Sequence, residues 1–102
     1  MSIDEMIKDC EAKVREDETI VFAIGAGRIF PKLGMMKAQK KAMKVIQKQD
    51  GFVGIHLIDL WHTLLIYDTL NHAKSARNVL ISKGMELGEI VPIMIPKEGV
   101  IE

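Results

Sequence analysis

Cys10 is the only cysteine in the sequence. No intramolecular disulfide can form, and no multi-thiolate metal site can be assembled from this chain. Aromatic residues are 5 % of the total, which favours core packing over base stacking as the role of most of them. No uninterrupted apolar run approaches the roughly 20 residues that span a bilayer. The start, Met1-Ser2-Ile3-Asp4-Glu5, is acidic and has no apolar stretch behind it, so a secretory signal is not expected. The expected location is the cytoplasm, where a lone thiol stays reduced. Internal repeats, low-complexity segments and interdomain linkers are also missing.

What is present is enough apolar material for a core. With 102 residues, 48 % of them apolar and 27 % charged, the chain fits one globular domain with a radius of gyration of about 13 Å. The formal net charge is zero, from 14 basic and 14 acidic residues, yet the two signs are segregated. Between positions 4 and 18 stand seven acids (Asp4, Glu5, Asp9, Glu11, Glu16, Asp17, Glu18) and three bases. Between positions 28 and 48 stand seven bases (Arg28, Lys32, Lys37, Lys40, Lys41, Lys44, Lys48) and no acid. A charged partner responds to local fields of this kind, not to the total.

The apolar spacing orders the elements. Ile3, Met6, Ile7, Cys10 and Val14 recur at intervals of three and four and predict a helix over 2–15, with Ser2 and Glu5 as a capping box. Cys10 falls in that apolar stripe and reads as a small core residue. The run 19–24 is nearly continuous and β-branched, the pattern of a central strand covered on both faces, and it is expected to end in a Gly25-Ala26-Gly27 loop. A helix over 35–49 follows. At about 100° per residue it gathers Lys37, Lys40, Lys41, Lys44 and Lys48 on one face, with Met35, Ala42, Met43 and Ile46 opposite.

Asp50-Gly51 stops that helix, and alternating segments 52–59 and 62–68 form a hairpin. Pairing Asp59 with His62 puts Val53, Ile55, Leu57, Leu64 and Ile66 on one face and Phe52, His56, Ile58, Leu65 and Tyr67 on the other. A third helix spans 70–83, buries Leu70, Ala73, Ala76 and Leu80, and ends at Gly84. The last strand, 90–95, contains Pro92, which lacks an amide proton and belongs at a sheet edge.

The fold class expected from this order is α+β: a ferredoxin-like βαββαβ antiparallel sheet with an extra N-terminal helix, in one domain over 1–102. The helix occupies 1–17, the core 18–96 and a tail 97–102. The first and third strands are expected inside and the second and fourth at the edges. Two helices cover one face only. The other, expected to carry Phe52, Ile58, Leu65 and Tyr67, calls for the N-terminal helix or a second subunit as its cover.

Two constellations carry candidate chemistry. The first is Gly25-Ala26-Gly27-Arg28 leading to Lys32 and the lysine-faced helix. Glycines let backbone amides converge on an anion, and Arg28 supplies a forked donor. It is neither a dinucleotide-binding nor a Walker A sequence, and the plain alternative is a turn followed by a solvated helix. Against that plain reading, lysines at i and i+4 repel by a few tenths of a kcal/mol each, which an acidic partner would relieve. Nucleic acid, a phosphorylated ligand, an acidic protein surface and the chain's own acidic N-terminal helix all fit.

The second constellation is His56, Asp59 and His62, with Asp68 and His72 beyond. Asp59 and His62 can meet across the hairpin turn, and Asp68 and His72 at the start of the third helix. A zinc site needs three or four converging ligands, so neither a metal nor a cofactor is expected. Ser75 and Ser82 match no nucleophile motif. Trp61 reads as a protein-interface anchor or a cover for the edge strand, with Phe52 and Tyr67 as further interface candidates. The seven methionines fill core gaps.

The reading carried forward is a small non-catalytic binding or regulatory protein that engages a polyanion through Gly25, Gly27, Arg28, Lys32, Lys37, Lys40, Lys41, Lys44 and Lys48. The alternative is an oligomeric protein-interaction module using the second sheet face or a strand edge. A third is a small enzyme using His62 and Asp59.

Overall fold

A computed structural model describes residues 2–26, 44–57 and 63–97. It is a mixed α+β fold with one four-stranded antiparallel sheet. In chain order the elements are α1 (Ile3–Lys13), β1 (Glu18–Ala26), the helical turn α2 (44–47), β2 (Phe52–Leu57), β3 (Thr63–Tyr67), α3 (Leu70–Ser82) and β4 (Leu87–Pro96). The strand order is β2-β3-β1-β4, so β1 and β3 lie inside.

Local chemistry explains most boundaries. The Ser2 hydroxyl accepts the Glu5 amide at 3.2 Å, Asp4 and Glu5 stand at the positive end of α1, and Lys13 stands at its negative end. The helix stops at Val14, whose backbone is extended. Thr69 caps α3 by accepting the His72 amide at 3.2 Å. At the other end Gly84 takes φ +93°, its amide donates to Ile81 O and that of Met85 to Leu80 O, which closes the helix in a left-handed cap.

The β1 strand sits centrally because Val21, Phe22, Ala23 and Ile24 are all buried. Pro92, paired with Phe22 on β4, lies in an edge strand, where its missing amide leaves no ladder bond unmade. One expectation fails at the end of β1. Gly25 and Ala26 are not loop residues: both are in the strand, paired with Leu64 and Thr63, and Gly25 sits where the β1–β4 register shifts. Two residues of the expected anion loop are therefore ladder positions.

The hairpin register also differs from expectation. Leu57 faces Thr63 and His56 faces Leu64, one place away from the Asp59–His62 pairing, and a second shift between Phe52 and Gly54 leaves Val53 as a bulge. Because side chains alternate, the slip puts Ile55 on the face of Leu65, while the Val53 bulge keeps Phe52 on the face of Tyr67. That face is the helix side and not the second one: Leu65 and Tyr67, paired with Ile24 and Phe22 of β1, lie with Ile46, Ala73, Ala76 and Leu80, and Phe52 and Ile55 pack against them. Each fully buried Leu or Ile in this cluster contributes about 1.5–3 kcal/mol.

The second face instead carries Val21, Ile66 and Ile95, with Val53, Leu64 and Ile93 beside them. The acidic helix α1 is not its cover. It leans on β4, where the Cys10 thiol points at Pro92 O across 3.8 Å and Ile7 packs against the helix-side cluster.

Candidate functional site

The lysine-bearing segment, the end of β3 and the start of α3 converge on one spot. The α2 turn anchors itself with Ile46, which is fully buried. Beyond it the chain tightens, with Lys48 N–H donating to Val45 O and Gln49 N–H to Ile46 O, and then turns at Gly51 with φ +77°. Gly51 O accepts the Asp68 amide at 2.9 Å, which ties this turn to the exit of β3.

Asp68 Oδ1 lies 2.7 Å from His72 Nδ1, one helical turn into α3. Both side chains remain about half exposed. Glycine at position 51 is required twice over: its φ is left-handed, and a methyl group there would overlap Asp68 Oδ1 and the His72 ring. The turn, the carboxylate and the imidazole thus form one fitted unit.

Beneath the unit lies Tyr67, wholly buried, its ring edge-on to Phe52 at 5.7 Å. Its hydroxyl donates to Gln49 Oε1 at 2.6 Å, and Gln49 Nε2 donates to Ala76 O at 3.3 Å. The Gln49 amide is therefore engaged at both ends. Burial pushes the Tyr67 hydroxyl up to about 12.

Above Gln49 opens a groove of about 310 Å³ between the turn and α3, with Lys48 and Asp50 on one wall and His72, Ser75, Ala76 and Val79 on the other. The α3 wall follows from helical spacing, since positions 72, 75, 76 and 79 share a face. Lys44 and Lys48 are exposed, and neither has an ion pair among the described residues. The acidic helix does not neutralise them: Asp9 of α1 pairs with Lys13 of the same helix at 3.0 Å.

The expected site residues are placed unevenly. Lys44 and Lys48 are exposed at the groove end of the basic stretch, and Gly25 is a strand residue. Gly27, Arg28, Lys32, Lys37, Lys40, Lys41 and Trp61 lie outside the described residues, as do Asp59 and His62 of the enzyme reading. Phe52 is half-buried and Tyr67 fully so, under the helices and not on the second face. His56 is exposed on β2, opposite Leu64. Asp68 and His72 do meet.

Sequence reasoning passed over Gln49 and the packing role of Gly51. Their only advance signals were Asp50-Gly51 at a helix stop and an Asp and a His four apart at a helix start. Among the described residues no three His, Cys, Asp or Glu side chains gather as metal ligands, and no helix is long and apolar enough to cross a membrane. No family model matches the chain, and no curated protein or solved structure matches it.

Proposed function

We propose that this protein is a small non-catalytic binding or regulatory protein whose lysine-rich segment engages a polyanionic partner, and that it works in the cytoplasm. The observation that carries this reading is the state of Lys44 and Lys48: both are exposed, one helical turn apart and without an acidic partner among the described residues, while α1 leans on β4 with its Asp9 bound to Lys13 of the same helix. Like charges at i and i+4 destabilise a helix slightly. A row of phosphates or carboxylates reverses the sign of that term.

The scaffold in this proposal is ferredoxin-like, βαββαβ with α1 added in front. In support, the sheet read from its other edge runs β4-β1-β3-β2, all antiparallel. That arrangement puts the basic segment on the connection between β1 and β2, held to the core by Ile46 and to β3 through Gly51.

The test is fluorescence anisotropy of mixed-sequence single-stranded RNA and DNA, titrated with the protein at two salt concentrations. Saturable binding that weakens steeply as salt rises is the expected result, because binding releases condensed counterions. No binding at low salt overturns the nucleic-acid form of the proposal.

A further inference from the structure

The geometry points to a ribose phosphate as the ligand, with the lysines holding phosphate and the His72 groove reading a sugar hydroxyl. This rests on the polyanion reading and narrows it to a ribonucleotide chemistry.

The Asp68–His72 pair sets the hydrogen-bonding pattern of the groove. An ionised carboxylate only accepts hydrogen bonds, so at 2.7 Å the imidazole Nδ1 is the donor. In the neutral ring that fixes the tautomer and leaves Nε2 as an acceptor. Among the described residues nothing engages this second nitrogen, and His72 lines the groove. Asp50, which also lines the groove, has no ion pair among the described residues. The amide of Gln49 is not available, being bound to Tyr67 and Ala76.

Two acceptor-bearing residues, His72 and Asp50, line one cavity beside the Ser75 hydroxyl, and their lone pairs disfavour a bare phosphate. A hydroxyl answers them by donating. Donors for phosphate are present at the mouth, where Lys48 forms part of the wall and Lys44 precedes it by one turn. Ala76 and Val79 supply an apolar wall against which a sugar ring can rest. A volume of about 310 Å³ lies at the small end of ligand sites, enough for one nucleoside-sized group. Phosphate donors next to hydroxyl acceptors fit a ribose phosphate, and on the internal sugars of a strand only ribose keeps a hydroxyl, at 2′, to donate. The 2′-hydroxyl is the group by which a protein separates RNA from DNA.

The same Asp–His pair could merely brace the start of α3, and the experiment separates the two roles. Single strands of one mixed 12-nucleotide sequence are prepared as RNA, DNA and 2′-O-methyl RNA. Each is titrated with the full chain by anisotropy at pH 8. RNA is expected to bind about five- to tenfold more tightly than either of the others, the factor one added hydrogen bond supplies. His72→Phe brings RNA down to the DNA value and leaves DNA unchanged, whereas Lys48→Gln weakens RNA and DNA alike. Competition by adenosine 5′-monophosphate reports the source. Displacement of RNA assigns the ribose to a free nucleotide, and failure to displace assigns it to the strand.

Equal affinity of the unmodified protein for RNA and DNA overturns the ribose inference alone. Absence of binding to all three overturns the nucleic-acid form of the polyanion reading with it. Equal weakening of RNA and DNA by His72→Phe assigns His72 a bracing role and overturns the inference. The RNA, DNA and 2′-O-methyl comparison needs no variant, so it decides even if His72→Phe does not fold.

Discussion

The acidic helix α1 and the basic segment that ends at Gly51 carry opposite charge and are built in opposite ways. On α1, four acids stand against two lysines: Lys13 pairs with Asp9, and Glu18 just beyond accepts the Arg15 amide at 3.1 Å. None of its residues is fully buried. On the basic side Lys44 and Lys48 have no partner among the described residues, yet the turn they flank is fixed by a buried Ile46, a glycine that tolerates no side chain and a hydrogen bond to Asp68. Exposed charge on a helix with no fully buried residue costs little to change. Unanswered charge on a rigid mount is how a binding surface is made.

If that contrast is right, substitutions at the mount are severe and those on α1 are mild. The largest effect is expected from Gly51→Ala, which adds a left-handed strain to an overlap with Asp68 and His72. It should lower stability by about 2–4 kcal/mol in thermal or urea denaturation. Gly84→Ala is the control, since its φ is also positive but its surroundings are open, and it should cost only about 1 kcal/mol. Equal losses at the two glycines would show that the packing around position 51 contributes nothing.

Tyr67→Phe comes next. It removes the bond to Gln49 and leaves that oxygen without its donor, at about 1–2 kcal/mol. The tyrosine also predicts an alkaline limit. Between pH 10 and about 12 the unfolded chain loses the Tyr67 proton while the folded chain keeps it. Stability is therefore complete below pH 10 and falls as pH rises through about 12, by roughly 2–3 kcal/mol in all. A flatter alkaline limb in Tyr67→Phe confirms the source; an unchanged limb assigns the loss to other groups.

The smallest effects sharpen the comparison from the other side. Thr69→Ala removes the cap of α3, which buries Ala73, Ala76 and Leu80, and should cost about 1 kcal/mol of global stability. Asp9→Ala removes an exposed ion pair from α1 and should cost no more than about 0.5 kcal/mol. A larger loss at Asp9 than at Thr69 would invert the account.

Much of this was legible in the sequence, for identifiable reasons. Ser2 and Thr69 announce helix starts by side-chain chemistry, Gly84 a helix end by its conformation, and Pro92 an edge strand by its missing proton. The unbroken apolar run of β1 places it inside the sheet. The hairpin faces were not legible because both alternating sets are apolar. With Leu64 and Ile66 on one face and Leu65 and Tyr67 on the other, the pattern does not choose a register, and the Val53 bulge that shifts it again has no local signature. Gly25 misled because a glycine before Ala26-Gly27 looks like a loop, whereas here it marks a register shift inside the ladder. At the site, the Asp68–His72 contact could be read from spacing at a helix start. The third partner, Gly51, stands 17 positions before Asp68, a distance that only the fold brings together.

The central claim is that Lys44 and Lys48 await a polyanion, and the most direct test is the salt slope of RNA binding. Anisotropy titrations between low and moderate salt are compared for the unmodified chain and a Lys44→Gln, Lys48→Gln double variant, with thermal melts confirming that both fold alike. The account predicts weaker binding by the variant and a slope of log Kobs against log salt shallower by about 1.4, the share of two single-strand phosphate contacts. The same affinity and the same slope in both proteins would contradict it.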